Sequence, residues 1–251
     1  MPYFGGSDMI PADHPRYRSL VTRERLAQCA KQGIVALEGL TAHGRGEAFD
    51  YLIGERTTRS ALIAEQTAAA LLQTARCPII SVNGNTAALA ANEICALQKA
   101  SGARVEVNLF HRTEARVKKI EDLLRESGVD VSSGEAEQLL PLSHDRAWCR
   151  REGIFSADVV LVPLEDGDRC EALVNMGKTV IAIDLNPLSR TARSATLTIV
   201  DELTRALPQI TQACQETSEP KKVKLISRVD NHYLLTEAIR EMTERLSYAL
   251  D

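Results

Sequence analysis

Short β-branched runs alternate with longer amphipathic stretches along the middle of the chain. Five runs read as buried strands: residues 78–83 (PIISVN), 104–110 (RVEVNLF), 158–163 (DVVLVP), 179–184 (TVIAID) and 196–200 (TLTIV). Each is bounded by Gly, Pro, Asn or Asp, which interrupt regular structure. Helical patterns lie between them over 86–100, 114–127 and 169–176. In the second of these, Val117, Ile120, Leu123 and Leu124 fall at helical spacing, Thr113 is placed to cap the start, and Gly128 follows the end. Gly177 closes the third. Strand alternating with helix through short loops predicts an α/β fold: a Rossmann-like three-layer parallel sheet, covered on both faces.

The flanks differ from this core. Residues 19–32 and 60–74 read as helices, joined by a polar, glycine-punctuated stretch around HGRGEAFDYLIGERTT. The tail after Pro220 begins basic (KKVK) and turns helical from Asn231 to Leu250. Its apolar positions Leu234, Leu235, Ile239, Met242 and Leu246 form one stripe, packed either on the chain's own core or on a second subunit. The expected organisation is one domain: a helical N-terminal segment (1–76), a Rossmann-like core (77–215) and a C-terminal helical tail (216–251). No internal repeat or low-complexity tract interrupts it.

Composition narrows the class. At 251 residues the chain can bury a sizeable core, and 44% hydrophobic with 25% charged residues is ordinary globular usage. A formal net charge of -4 argues against nucleic-acid binding driven by net charge. No apolar stretch approaches the roughly 20 residues of a membrane span, and the start MPYFGGSDMIPADHPRYRSL lacks the apolar core of a signal peptide. The six cysteines are scattered without a CxxC or CxxH pair, so no structural metal site is expected and the thiols read as reduced and mostly buried. These features predict a cytoplasmic protein that binds neither membrane nor nucleic acid.

In an open parallel sheet, ligands bind beyond the carboxyl ends of the strands. All five predicted strand ends are polar. Asn83, Gly84 and Asn85 follow the first and open a helix, whose free N–H groups and positive dipole end suit a phosphate or carboxylate; the alternative is a plain tight turn. Asn108, His111 and Arg112 follow the second strand. Glu165, Asp166 and Asp168 follow the third and are candidates for holding a magnesium ion or orienting an amine, against the alternative of solvated loop acids. Asp184, Asn186, Arg190 and Arg193 follow the fourth, and Asp201 and Glu202 the fifth. Arg23, Arg45, Arg190 and Arg193 supply the guanidinium charge that a polyphosphate needs, although a lone arginine is commonly a surface ion pair. Arg45 sits between Gly44 and Gly46. The run Gly177, Lys178, Thr179 imitates the end of a phosphate-binding P-loop, but Ala172 stands where the earlier glycine belongs, and the run feeds a strand. No GxGxxG occurs, which weighs against a dehydrogenase.

The stretches HPRYRSL, GLTAHGRGEAFDYLIGERT, ISVNGNTAAL, VEVNLFHRTEARV, ADVVLVPLEDGDRCEALVNMGKTVIAIDLNPLSRTAR and TIVDE closely resemble the archaeal 4-phosphopantoate–β-alanine ligase family, also called phosphopantothenate synthetase. The resemblance runs from about His14 to Leu207, with the motifs in the same order. It fades between Ser127 and Gly153 and after Gln215. It implies a Rossmann-like homodimer of the coenzyme A pathway that joins 4-phosphopantoate to β-alanine, forming 4'-phosphopantothenate, AMP and pyrophosphate. It also implies ATP contacts at Arg23, Arg45, Asp184, Leu185, Asn186, Arg190, Thr191, Glu202 and Leu203. The competing reading is a non-catalytic nucleotide-binding regulatory module on the same fold, which would bind ATP without producing AMP.

Overall fold

The structure, a computed structural model, describes residues 10–249. The signal-peptide reading rests partly on residues 1–9 and the expected helix end falls on Leu250, and both lie outside the described residues. Three helices come first: α1 (Tyr17–Lys31), α2 (Leu37–Ile53) and α3 (Arg59–Thr74). The core then runs β1 (Pro78–Val82), α4 (Gly84–Ser101), β2 (Arg104–Val107) and α5 (Glu114–Glu126). A short antiparallel pair follows, β3 (Glu137–Gln138) with β4 (Trp148–Cys149). The chain continues through β5 (Val159–Pro163), α6 (Gly167–Asn175), β6 (Thr179–Ile183), α7 (Arg190–Ser194) and β7 (Leu197–Ile199). It closes with α8 (Leu203–Glu216), α9 (Glu219–Ile226) and α10 (Asn231–Ser247).

The five expected strands form one parallel sheet in the order β2-β1-β5-β6-β7. Side chains along a strand alternate between faces, and the packing follows that period. Ile80, Val82, Leu161, Ile181 and Ile183 join one core with residues of α1, α3, α4, α5 and α8, whereas Ile79, Val160, Val162, Val180 and Ala182 join another with α6 and residues 140–157. A third cluster packs Ile53 of α2 against Leu185, Val200 and the α10 residues Leu235, Ala238 and Met242. The sheet is thus sandwiched, which is the Rossmann-like three-layer arrangement the strand pattern predicts.

Local chemistry sets the helix ends. Thr113 accepts a hydrogen bond from the Arg116 N–H, and Gly128 follows α5 at φ +83°. Thr58 caps α3 in the same way through the Ala61 N–H. The tail stripe divides: Leu234, Leu235 and Met242 are buried, while Ile239 and Leu246 face outward.

One expectation is corrected. The stretch around HGRGEAFDYLIGERTT is mostly α2, so Arg45 lies on a helix and not in a glycine loop. Each interior glycine costs a helix about 1 kcal/mol, but tertiary packing outweighs it here. Ile53 is fully buried and Phe49 and Leu52 pack beside it, each buried side chain of this kind being worth roughly 1.5–3 kcal/mol. The six cysteines are free, and all but Cys77 are buried. No helix among the described residues is long and apolar enough to cross a membrane.

Candidate active site at the strand ends

The strand order places β1 beside β5, with the connection after β1 running to β2 on one side and that after β5 running to β6 on the other, and the crevice at such a reversal is where this architecture takes ligands. Asn83 spans that crevice. Its amide donates to the carbonyl oxygens of Pro163 and Leu164, both at 3.0 Å, and its Oδ1 accepts from the Thr86 N–H at 3.0 Å, capping α4. Gly84 admits the N-terminal segment: a Cβ there would stand 2.3 Å from the Ile34 carbonyl oxygen. Asn85 donates to the Gly39 carbonyl at 2.8 Å. The loop therefore docks the segment leading into α2 as well as opening α4. Gly84→Ala is expected to cost roughly 1–3 kcal/mol, since the obstructing atom is backbone. An unchanged urea midpoint would show that residue 34 is not held there.

The acids after β5 divide into distinct roles. Glu165 is buried between two guanidinium groups, with Arg146 Nη2 at 3.1 Å and Arg169 Nη1 in direct contact on its other oxygen. Burial alone would raise this carboxyl, but Arg146, Arg169 and the Asp166 N–H reverse the effect and hold it below the ordinary carboxylate range. Asp166 caps α6 through the Arg169 N–H at 2.9 Å. Burial and the neighbouring Glu165 charge raise its carboxyl. Asp168 is exposed and pairs with Arg190 at 2.7 Å. Both ring nitrogens of His144 are buried without a hydrogen-bond partner, and Asp166 Oδ2 has only the poorly aligned Arg146 Nε at 3.2 Å. His144, Asp166 and Asp168 bring one ligand atom each within 4.8 Å of one another. The two oxygens of Glu165 are taken, so His144 joins Asp166 and Asp168 as the group with donors to offer a cation.

Beyond β6, Asp184 accepts from the Asn186 N–H at 2.9 Å and from Ser189 Oγ at 2.5 Å. Burial raises its carboxyl, an effect that these hydrogen bonds and the Arg45 charge oppose. Gly46 faces Leu185, so α2 lies over this loop and brings Arg45 to it. Gly167 meets Arg190 so closely that a Cβ would come within 2.5 Å of the Arg190 Cβ, which lets the start of α6 press on the start of α7. Thr191 is buried and donates to the Glu165 carbonyl at 2.9 Å, linking the β5 and β6 loops. Glu202 caps α8 through the Thr204 and Arg205 N–H groups, and Leu203 is buried behind it.

Arg45, Asp184, Leu185, Asn186, Arg190 and Thr191 are thereby gathered along the β6 end, with Glu202 and Leu203 following the neighbouring β7. Arg23 stands apart, paired with Glu47 at 2.8 Å beside an apolar cavity of about 430 Å³ between α1 and α2. Another cavity, about 650 Å³, lies between α5 and residues 133–136 and is lined by surface charges such as Lys118, Glu121 and Arg125. It reaches Arg112 after β2 but none of the loops after β1, β5, β6 and β7, so its size does not make it the site. Lys178 of the P-loop imitation donates to the carbonyls of Phe155 and Ala157 at the opposite edge of the sheet.

Pattern reasoning missed Arg146, which is buried and also donates to the Asn108 carbonyl at 2.8 Å. It lies in the segment where recognisable motifs fade, and a single arginine there carries no signal of burial. The Asp50–Arg205–Asp201 network was likewise missed: Asp201 was marked as a strand end and Arg205 lies one turn on, but Asp50 is remote in the chain and nothing in the sequence ties it to them.

A family model described as phosphopantothenate/pantothenate synthetase matches residues 60–245. The chain belongs to that family. Among its relatives, the 4-phosphopantoate–β-alanine ligase of Methanospirillum hungatei is 59% identical over 243 residues, covering 97% of this chain and all of that protein. The ligase of the same name from Methanosarcina mazei is 56% identical, covering 94% of this chain and 95% of its own. That from Thermococcus kodakarensis is 46% identical, covering 95% and 94%. The phosphopantothenate synthetase family is a family of enzymes, so this chain is a ligase and the regulatory-module reading is not favoured.

Proposed function

We propose that the chain condenses 4-phosphopantoate with β-alanine at the expense of ATP, giving 4'-phosphopantothenate, AMP and pyrophosphate. The observation that carries this reading is the near full-length identity to ligases of that name, combined with guanidinium and polar groups gathered at the carboxyl ends of β1, β5, β6 and β7. A carboxylate resists attack by an amine until one of its oxygens becomes a leaving group. Transfer of the adenylyl group to the pantoate carboxylate achieves this and expels pyrophosphate. Arg45 and Arg190 are assigned to the negative charge that grows on the phosphate oxygens, where pre-placed donors contribute most. Asp184, Leu185, Asn186, Thr191, Glu202 and Leu203 are assigned to line the nucleotide's place, whereas Arg23, held by Glu47 away from these loops, is assigned to it by the family resemblance alone. The start of α4 at Asn83, Gly84 and Asn85 receives the substrate phosphate or carboxylate.

β-Alanine must attack as a free amine, so a group near the β5 loop takes its proton. Asp166, Asp168 and His144 are the residues that would hold magnesium, whose chemistry is to neutralise phosphate charge. Glu165 would act through the arginines it fixes. The chain is read as one domain that works as a cytoplasmic homodimer, with the outward Ile239 and Leu246 of α10 available for a subunit contact.

Pure protein mixed with ATP, magnesium, 4-phosphopantoate and β-alanine is expected to form AMP and pyrophosphate in step with phosphopantothenate. ADP with orthophosphate would point to an acyl phosphate and overturn the mechanism. ATP binding with no AMP formed would restore the regulatory-module reading.

A further inference from the structure

Glu65 lies on α3 with no solvent exposure, and neither carboxyl oxygen meets a hydrogen-bond donor when both are treated as acceptors. Its close polar neighbour is another carboxylate, Asp201, at the end of β7. Asp201 is itself buried and heavily used. Its Oδ1 accepts from the Glu202 N–H at 2.7 Å and from Arg205 Nε and Nη2 at 2.9 and 2.6 Å, and its Oδ2 accepts from Thr57 Oγ1 at 2.6 Å. Arg205 reaches onward to both carboxylate oxygens of Asp50 on α2. Two buried carboxyl groups in contact, with the nearby arginine already committed to two acids, are compatible only if one carries a proton.

We propose that Glu65 holds that proton and donates it to Asp201, and that this pair is a positioning device for the nucleotide. With Glu65 neutral, Asp201 keeps one negative charge. It can then orient the Glu202 backbone and hold Arg205, which in turn clamps Asp50 and seats α2, the helix carrying Arg45, over the β6 loop. Glu65 touches no ligand. The inference rests on the proposed nucleotide site, but the pair itself does not.

The groups facing Glu65 support the assignment. Burial beside the Asp201 carboxylate pushes the Glu65 carboxyl up to about 9, and only Arg205, on α8, pulls the other way. Asp50 on α2 and Glu202 add further acids to the same neighbourhood, the former bound to Arg205. A carboxyl raised in the folded state binds a proton that the unfolded chain has already lost. Its stabilising contribution is therefore complete below the ordinary carboxylate value and disappears as pH rises towards 9.

The test compares wild type with Glu65→Gln, which keeps the shape and a donor but cannot ionise. Melting temperatures are read from about pH 5 to 10, and ATP affinity by calorimetry with ATP alone, which excludes titration of the β-alanine amine. The melting temperature of Glu65→Gln relative to wild type should climb steadily to about pH 9 and then level off. Wild-type ATP affinity should fall roughly ten-fold between about pH 8 and 10, the size of one lost charge-assisted hydrogen bond, while that of Glu65→Gln stays flat. A melting difference that is constant with pH would overturn the shared proton. Equal falls in ATP affinity for the two proteins, or weaker binding by Glu65→Gln already at pH 7, would overturn the positioning role. If wild type binds no ATP at any pH, the nucleotide reading fails with it, and the melting curves alone still decide whether Glu65 carries the proton.

Discussion

Arg169→Ala is expected to cost the fold about 3–5 kcal/mol at pH 7, the penalty for leaving a buried charge without its partner. The Arg169 side chain is fully buried, and it binds Glu165, which is almost as deep, together with Ser81 Oγ at 3.1 Å. Removing the guanidinium leaves Glu165 with Arg146 alone in a low-dielectric interior. The cost arises from breaking the pair, since forming it gives up most of its Coulomb energy to desolvation. Because Glu165 is held below the ordinary carboxylate range, its contribution is present above the unfolded value and is lost as pH falls through the folded one. Urea unfolding at pH 7 and in mild acid should therefore show the variant and wild type converging towards low pH. A loss below about 1 kcal/mol at pH 7 would mean that water or a neighbour already neutralises Glu165.

Arg45→Ala should leave the fold alone and slow adenylation. Arg45 is exposed on α2, Gly44 beside it faces open space, and alanine is the better helix former. The arginine's charge nonetheless reaches Asp184 in the β6 loop. Deleting one electrostatic donor of this kind raises a barrier by roughly 2–4 kcal/mol. Arg45→Lys should recover only part, because a point charge does not reproduce the two-pronged guanidinium. ATP–pyrophosphate exchange and melting temperature, measured on both variants, separate the roles. A variant that melts many degrees lower while its folded fraction exchanges normally would make Arg45 a structural residue.

The sheet was legible because buried parallel strands leave a direct trace: a β-branched run between stop residues, recognisable without knowing its partner. All five are present, each slightly shorter than the apolar run suggests. What escaped was structure whose cause lies elsewhere in the chain. Glycines 44 and 46 disguise α2, which is stabilised by Leu185 and by residues of α10. Pro208 lies within α8 and breaks the pattern that would have announced it. The candidate site was legible as a set of polar strand ends, and the division of labour within it was not. Nothing local tells Glu165, whose oxygens are taken by two arginines, from Asp168 three residues on, which faces solvent. Arg146 and Glu65 gave no warning at all, because being buried and charged is a property of the assembled fold.

Asn83 joins the carboxyl ends of β1 and β5 through two amide hydrogen bonds while its own oxygen caps α4. The floor of the crevice is therefore set by covalent geometry and three short contacts that exist without any ligand. A substrate arriving there loses its own freedom but demands little from the protein beneath it, which is the entropic advantage of a preformed seat. Whatever closes over the reactants has to come from above, from the helices that Gly84 and Asn85 dock to this floor. Asn83 thus builds the base of the enzyme's crevice independently of the helices that cover it.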